Sequence, residues 1–577
     1  MHGRRIVTRR NFLQSAAGGA IAAAVGVPLL AACSTPSGPS AATPASGAPN
    51  ASASSGAIYP TYIPFNNASV KADYHDADPS YDDGYNNYPA NPFKSWQKDP
   101  PGLGSTVNVF QNAYNPIPTP HDQNTTWQAI EKQLNATVDF NIIGGPFTGD
   151  YPAKLAAIIA GNDLPDIIHL HDGYAATGNL PEFIKAKCAD LTPYLGGDAA
   201  RDYPNLAAIP TYAWKNSVSA IDGKLYMVPL QRYLPGFSGV GGAYFFKNTD
   251  AWDKVLGAGY MPKNADDFKK ALLQLNRPND NYWAIGNNAN SNFGLAGYLQ
   301  MFGAPNFWRL ESNGHLTYVA ETDEYKAALG YLRDLWAAGV FHPDSNGSGG
   351  QSADFAGGRF ATTLGFYGNA YALMWRQGLQ QNPPNHFQMI DLFAHDGGKP
   401  EAYLTGGFIS MNVLKQAPAD RIKELLRIMD WLAAPFGSQE DLLLSYGLPG
   451  QDFTPDANGN PIPTQNGRMN ASYVPWQYIS VHPYVSYQAD LPGYARTQWD
   501  MEHQIIPVGI KDPTLGYYSA TKYSKGVAAD QAFSDGVNGI ILGRDPISNF
   551  DTVLKTWQSA AGDQIRKEYM DAMAAAK

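Results

Sequence analysis

Cysteine is nearly missing from this 577-residue chain, which has only Cys33 and Cys188. A thiolate metal site and a disulfide-built scaffold are therefore excluded. Charge is sparse as well, 16% of residues, and what there is leans acidic, with 41 Lys and Arg against 51 Asp and Glu and a formal net charge of -10. That balance argues against a nucleic-acid partner or an anionic lipid surface held by electrostatics. Several enzyme signatures are absent: there is no Gly-x-Ser-x-Gly elbow, no Walker or dinucleotide loop, and no zincin-type helix. Nor is there a long apolar run, because Ser15–Ala32 carries three glycines and Pro28, a poor permanent membrane span.

What is present begins with Thr8-Arg9-Arg10-Asn11-Phe12-Leu13, followed by a Gly/Ala-rich stretch that ends in Leu30-Ala31-Ala32-Cys33. This resembles a twin-arginine signal with a lipobox, so residues 1–32 are read as a signal peptide for Tat export and Cys33 as the lipidation site. A cleaved secretory signal with an incidental Cys33 is the alternative. Removing 1–32 takes four arginines and no acid, leaving a net charge of about -14. Residues 33–58 are almost all Ser, Ala, Pro, Gly and Thr and read as a disordered tether, with a reach of roughly 25 to 30 Å. Residues 59–103, rich in Tyr, Asn, Asp and Pro without periodicity, read as an irregular arm on the body.

From 104 onward the chain is too long for one core. Val107-Asn108-Val109-Phe110 reads as a strand, and Trp127, Ile130 and Leu134 recur at helical spacing behind Asn124 and Thr125. A strand over Thr137–Ile143, a helix through Leu155, Ile158 and Ile159, and a strand over Asp166–Leu170 follow. Strand and helix alternating over short connections predict an α/β sheet, mostly parallel, whose ligands bind beyond the carboxyl ends of the strands. The pattern restarts after Pro229 with Tyr244-Phe245-Phe246, a helix capped by Asn264, and Trp283-Ala284-Ile285. Helices over Asp323–Ala338 and Arg421–Leu432 complete a second lobe and the later chain.

Seven phrases in order carry a family likeness: "YPAKLAAIIAGNDLPDII" from Tyr151, "DGKLYMVPL" from Asp222, "YFFKNTDAWDKVLGAGYMPKNADDFKKAL" from Tyr244, "EYKAALGYLRDLWAAGVFHPD" from Glu324, "FAGGRFATTLGFYG" from Phe355, "GGFISMN" from Gly406 and "IMDWLAAPFGSQEDLLLSYGLPG" from Ile428. Together they resemble the extracytoplasmic solute-binding lipoproteins of carbohydrate ABC importers, in the family 1, large oligosaccharide-binding type. The resemblance implies a type II periplasmic-binding-protein fold of two lobes, each a mostly parallel sheet flanked by helices. It divides the chain into 104–229 with about 388–446 as the first lobe and 230–387 with about 447–577 as the second. It also implies a monomer, lipid-anchored outside the cell membrane, that passes a carbohydrate to permease subunits, with no catalysis, cofactor or nucleic acid. The calcium loop of some relatives is not expected, since "NRPNDNYW" lacks the Asp-x-Asp-x-Asp-Gly spacing.

A sugar offers hydroxyls and C–H faces, so its site needs amides and carboxylates beside aromatic rings. The loop after the first strand supplies Asn112, Tyr114 and Asn115, and the one after the third supplies His171, Asp172 and Tyr174. The resemblance assigns Asp172 to sugar hydroxyls, Asn288, Asn292 and Phe293 to contacts from the second lobe, and Phe366 and Tyr367, with Trp375, to ring stacking. Arg232 and Tyr233 stand at the first crossing, and Trp476 and Tyr494 in aromatic loops of the C-terminal third.

Two enzymatic alternatives remain. His169 and His171, at i and i+2 on a strand, face one side and with Asp172 make a partial zinc set, but the other histidines form no second cluster. A secreted hydrolase or lyase acting on a polysaccharide needs only two carboxylates flanking a cleft, and Asp490, Asp500 and Glu502 lie among aromatics with no spacing that marks a pair.

Overall fold

The computed structural model describes residues 57–66, 69–113, 119–144, 150–161, 163–171, 180–232, 234–236, 244–286, 289–290, 294–345, 351–365, 368–471 and 475–576. Residues 1–32, read above as a signal peptide, the expected lipidation site Cys33 and the expected tether up to 56 lie outside them.

The sheet strands are β1 (Thr106–Ala113), β2 (Thr137–Gly144), β3 (Ile167–His171), β4 (Met227–Leu230), β5 (Tyr244–Asn248), β6 (Trp283–Ile285), β7 (Phe360–Gly365), β8 (Phe387–Met389) and β9 (Ser410–Leu414). One sheet has the order β2-β1-β3-β9-β4, the other β8-β5-β7-β6. Strand β1 alternates as a strand covered on both faces must. Its Val107 and Val109 join the core under Trp127, Ile130 and Leu134, and Phe110 joins the opposite core with Tyr151 and Leu155.

Each sheet contains one reversed strand. β9 runs antiparallel to β3 and β4, and β5 runs antiparallel to β7 and β8. Both are the first sheet strand the chain builds after arriving from the other lobe. Strand direction is therefore mostly uniform as expected, but in the second sheet only β6 and β7 pair in parallel.

The helices that matter for the site are α1 (Thr125–Leu134), α2 (Asp150–Ala160), α3 (Ala265–Leu275), α4 (Asp323–Ala337), α5 (Asn369–Leu379), α6 (Ala419–Leu432), α7 (Gln439–Tyr446) and α8 (Tyr494–Ile505). Local chemistry starts several of them. Asn124 accepts from the Trp127 amide at 3.0 Å, Asn264 from Asp267 at 2.8 Å, and the Ser438 hydroxyl from Asp441 at 3.0 Å.

Two lobe boundaries move. β8 pairs with β5, and the short strand Ala402–Leu404 pairs with Gly509–Lys511 on the core of the second lobe. The return to the first lobe thus falls within 405–409, not near 388. Gly447, read as a departure, is a helix C-cap at positive φ (79°) whose amide donates to the Leu443 carbonyl. Beyond it the chain stays on the first lobe: Asp452 accepts from Thr126 of α1, and Trp476 and Ile479 enter the first core. The departure falls at about 480–484, where Tyr484 meets the second.

The arm touches both lobes. Thr61 and Ile63 bond Gly197 and Ala207 of the first lobe. Tyr74 then lies 6.0 Å from Trp499, and Tyr81 4.6 Å from His503, both on α8 of the second. Next, Asp83–Gly84 pairs with Val485–Ser486 in the last crossing. The arm finally returns to the first lobe, where Ser95 and Trp96 donate to Glu440 of α7 and Leu103 donates to Glu424 of α6.

Candidate functional site

A cavity of about 410 Å³ opens between the lobes. The first lobe contributes Trp476, Gln477 and residues of α7, the second contributes Asn369 and Arg376 of α5, and the crossings contribute Arg232, Ser480 and His482. A smaller space of about 170 Å³ shares Arg232, Asn369, Gln477 and His482.

The first sheet holds the 475–480 segment in place. Gln111 donates to the Pro475 carbonyl at 3.3 Å, and the Asn412 amide donates to the carbonyls of Tyr478 and Ile479 at 2.9 and 2.8 Å. Trp476 is thereby wedged edge-on against Phe140 and Trp127, at 5.1 and 5.9 Å. Its indole N–H is buried without a partner, as is the Ser480 hydroxyl.

Charges in the cavity are mostly paired. Arg376 grips Asp490 through two nitrogens, at 2.6 and 2.5 Å, and Gln488 at 2.9 Å; Arg468 reaches the same carboxylate at 3.3 Å. Burial resists ionisation of Asp490, but the two guanidiniums outweigh it and hold the carboxyl below its usual range. His482 lies 3.4 Å from Asp441 and donates from Nδ1 to the Pro483 carbonyl at 2.6 Å. Burial pulls its pKa down, and bonding to Asp441 overcomes this and leaves it raised. Arg232 differs: its guanidinium lies 5.5 Å over the Tyr478 ring and has no carboxylate partner among the described residues.

The expected site residues divide in three. Asn112, His171, Arg232 and Trp476 are described. Asn112 is strand rather than loop, fully buried, with neither side-chain amide atom partnered. His171 ends β3, buried. Two others belong to packing, which corrects their assignment. Tyr494 is 1% exposed in the second-lobe core with its hydroxyl 3.2 Å from that of Tyr484, and Trp375 packs on Tyr371 at 5.7 Å, away from the cavity wall. Tyr114, Asn115, Asp172, Tyr174, Tyr233, Asn288, Asn292, Phe293, Phe366 and Tyr367 lie outside the described residues. The chain leads into or out of them at Ala113, His171, Arg232, Ile285 and Gly365, mostly at the carboxyl ends of strands.

Asn369, Arg376, Gln477 and His482 were not foreseen. They come from a helix and a crossing, where no strand end announces a binding loop. Ala372 and Arg376, one helical turn apart, share the face of α5 toward the cavity, which shows only once the helix is placed.

The arrangement suits binding. His169, fully buried, bonds the Ser410 hydroxyl at 2.7 Å, and burial drives its pKa down to about 3. It is a packed neutral imidazole, and no cluster of three metal-ligating side chains exists among the described residues. Of the three carboxylates weighed for hydrolysis, Asp490 is held by arginines, Asp500 pairs with Arg496 at 2.8 Å, and Glu502 is fully buried beside Asp82; none lines the cavity.

The family profile of the bacterial extracellular solute-binding proteins matches residues 126–461. The polygalacturonan/rhamnogalacturonan-binding protein YtcQ of Bacillus subtilis is 22% identical over 78% of this chain and 88% of its own. The lipoprotein LipO of the same organism is 22% identical over 81% of this chain and 92% of its own. The ABC-transporter substrate-binding protein FusA of S. pneumoniae, solved with kestose, superposes with a TM-score of 0.56 at 17% identity, covering 82% of this chain and all of FusA. Two lobes with a cavity between them, and a family match over more than half the chain, lead to one conclusion: this chain belongs to the bacterial extracellular solute-binding proteins.

Proposed function

We propose that this protein captures a carbohydrate between its lobes and delivers it to the permease of an ABC importer, working as a monomer held outside the cell by a lipid on Cys33. The observation that carries the reading is a cavity whose walls come from both lobes and bring the amides of Asn369, Gln477 and Gln488 together beside Arg232 and the buried Trp476. A neutral hydroxyl bonded there contributes about 0.5 to 1.5 kcal/mol, so several contacts acting together set selectivity. Closure follows if the ligand touches both lobes better in the closed form than in the open one. The saccharide ligands of YtcQ and FusA, and the ABC setting of FusA, support the reading.

The expected contacts include Asn112, His171, Arg232 and Trp476, together with Tyr114, Asn115, Asp172, Tyr174, Tyr233, Asn288, Asn292, Phe293, Phe366 and Tyr367 in the loops beyond the strands. Titration calorimetry against mono-, di- and oligosaccharides, with product analysis in parallel, tests it. Stoichiometric binding without cleavage is the expected result. Cleavage of a polysaccharide without such binding would replace this reading with a carbohydrate-active enzyme.

A further inference from the structure

Pairing off the charges around the cavity leaves one over. Asp490 is shared by Arg376 and Arg468, and Asp441 faces His482. Asp441 is further occupied by the Tyr88 and Ser445 hydroxyls, at 2.8 and 2.9 Å. Arg232 remains, half-buried over Tyr478, with no acid opposite among the described residues. In a chain whose acids outnumber its bases by ten, an arginine in an interlobe cavity with no acid beside it among the described residues runs against composition. A guanidinium drawn partly out of water gains most from an anion that meets its planar fork, and a neutral hydroxyl fills that fork poorly. Arg376, on the second-lobe wall, and Arg468 share the single carboxylate of Asp490, leaving one positive charge in excess, so positive charge predominates near the cavity although the molecule as a whole is acidic.

We propose that the ligand is an acidic saccharide, and that Arg232 reads its anionic group, a uronic-acid carboxylate or a sulfate ester. The proposal rests on the carbohydrate reading above and adds the charge of the ligand and the residue that selects it. Arg232 stands where the chain leaves the first lobe and Arg376 belongs to the second, so an anion attracted to both is held better with the lobes together.

The test is calorimetric titration of the full mature chain with trigalacturonate, trimannuronate and a chondroitin tetrasaccharide, each beside its carboxyl-reduced counterpart, and with a sulfated oligosaccharide free of uronate. An acidic member binds at least about tenfold more tightly than its neutral counterpart, and that margin shrinks as salt is raised. Which arm binds tells carboxylate from sulfate. Arg232→Gln lowers affinity for the acidic member further than for its neutral counterpart and so loses the margin, and Arg232→Lys, which keeps charge without the fork, falls between. Melting temperatures establish that both variants are folded. Equal affinity for an acidic oligosaccharide and its reduced form, or an undiminished margin in Arg232→Gln, overturns the proposal. Binding of no saccharide removes the carbohydrate reading and this proposal with it.

Discussion

Asn112 shows at the scale of one side chain what a binding protein gives up. It sits in β1 with no exposure and with both amide atoms unpaired. A buried polar group left so costs about 1 to 3 kcal/mol. Its neighbours further along are Tyr114 and Asn115, the loop expected to meet the ligand. Asn112→Leu therefore leaves stability unchanged or raises it, by up to about 2 kcal/mol, and weakens ligand binding. Urea melts paired with titration of the bound sugar check both halves, and a large loss of stability would show that the amide serves the fold instead. Single residues were also where the sequence was least legible. Trp375 was expected to stack on a sugar because of the family resemblance around it, and Tyr494 because it stands in an aromatic loop. Tyr494 is turned into the core by its helix and Trp375 lies half-buried against Tyr371, facts visible only once the helices are placed.

At the scale of elements, strand β9 is the joint between sheet and site. Its side chains alternate between the two cores, and Asn412 breaks the apolar run to donate twice to the 475–480 segment that carries Trp476. Asn412→Leu strips two buried carbonyls of their donor. Destabilisation of about 2 to 4 kcal/mol is expected, with the fluorescence of Trp476 altered. Denaturant unfolding monitored by emission measures both, and an unchanged midpoint would mean that the segment is held elsewhere. Elements were legible wherever periodicity was strong. β1 and β3 were readable as apolar runs covered on both faces, β2 by the alternation of Val138, Phe140 and Ile142 with exposed Thr137, Asp139 and Asn141, and caps such as Asn124 and Asn264 marked helix starts. The later boundaries were not, since Phe453–Pro455 and Pro461–Pro463 form a short proline-rich hairpin with no stripe to say which lobe it joins. What ties that stretch to the first lobe is Asp452 bonded to Thr126 and Leu448, pairings remote in sequence or hidden in a turn.

For the whole molecule, the arm is the feature a sequence reading undervalues, because nothing periodic marks residues 57–103 as structural. Its Asp82 meets Glu502 of α8 and accepts from Ser486, all three buried. Burial lifts Asp82 to about 7 and, with the neighbouring Asp82 charge, lifts Glu502 well above its ordinary range. Asp83, Tyr484 and Tyr494 lie in the same neighbourhood and add no cation to relieve it. A carboxyl whose folded pKa is raised keeps a proton that the unfolded chain has already shed. Its contribution is complete below about pH 4 and declines as pH rises toward 7. Asp82→Asn, permanently uncharged, therefore loses less stability than the natural chain between pH 5 and pH 8. Denaturant melts at the two values compare the slopes, and equal slopes would mean the pair is not what loosens.

The path of residues 57–103 also decides where this protein tolerates being shortened. Glu440 and Glu424 are 2% and 4% exposed, and backbone amides of Ser95, Trp96 and Leu103 are among their donors. A gene trimmed to the first strand at 106 would abandon those carboxylates in a dry interior, and one trimmed to the family match at 126 would also remove β1 from the middle of its sheet. Shortened versions for crystallography or biosensing should begin no later than residue 57.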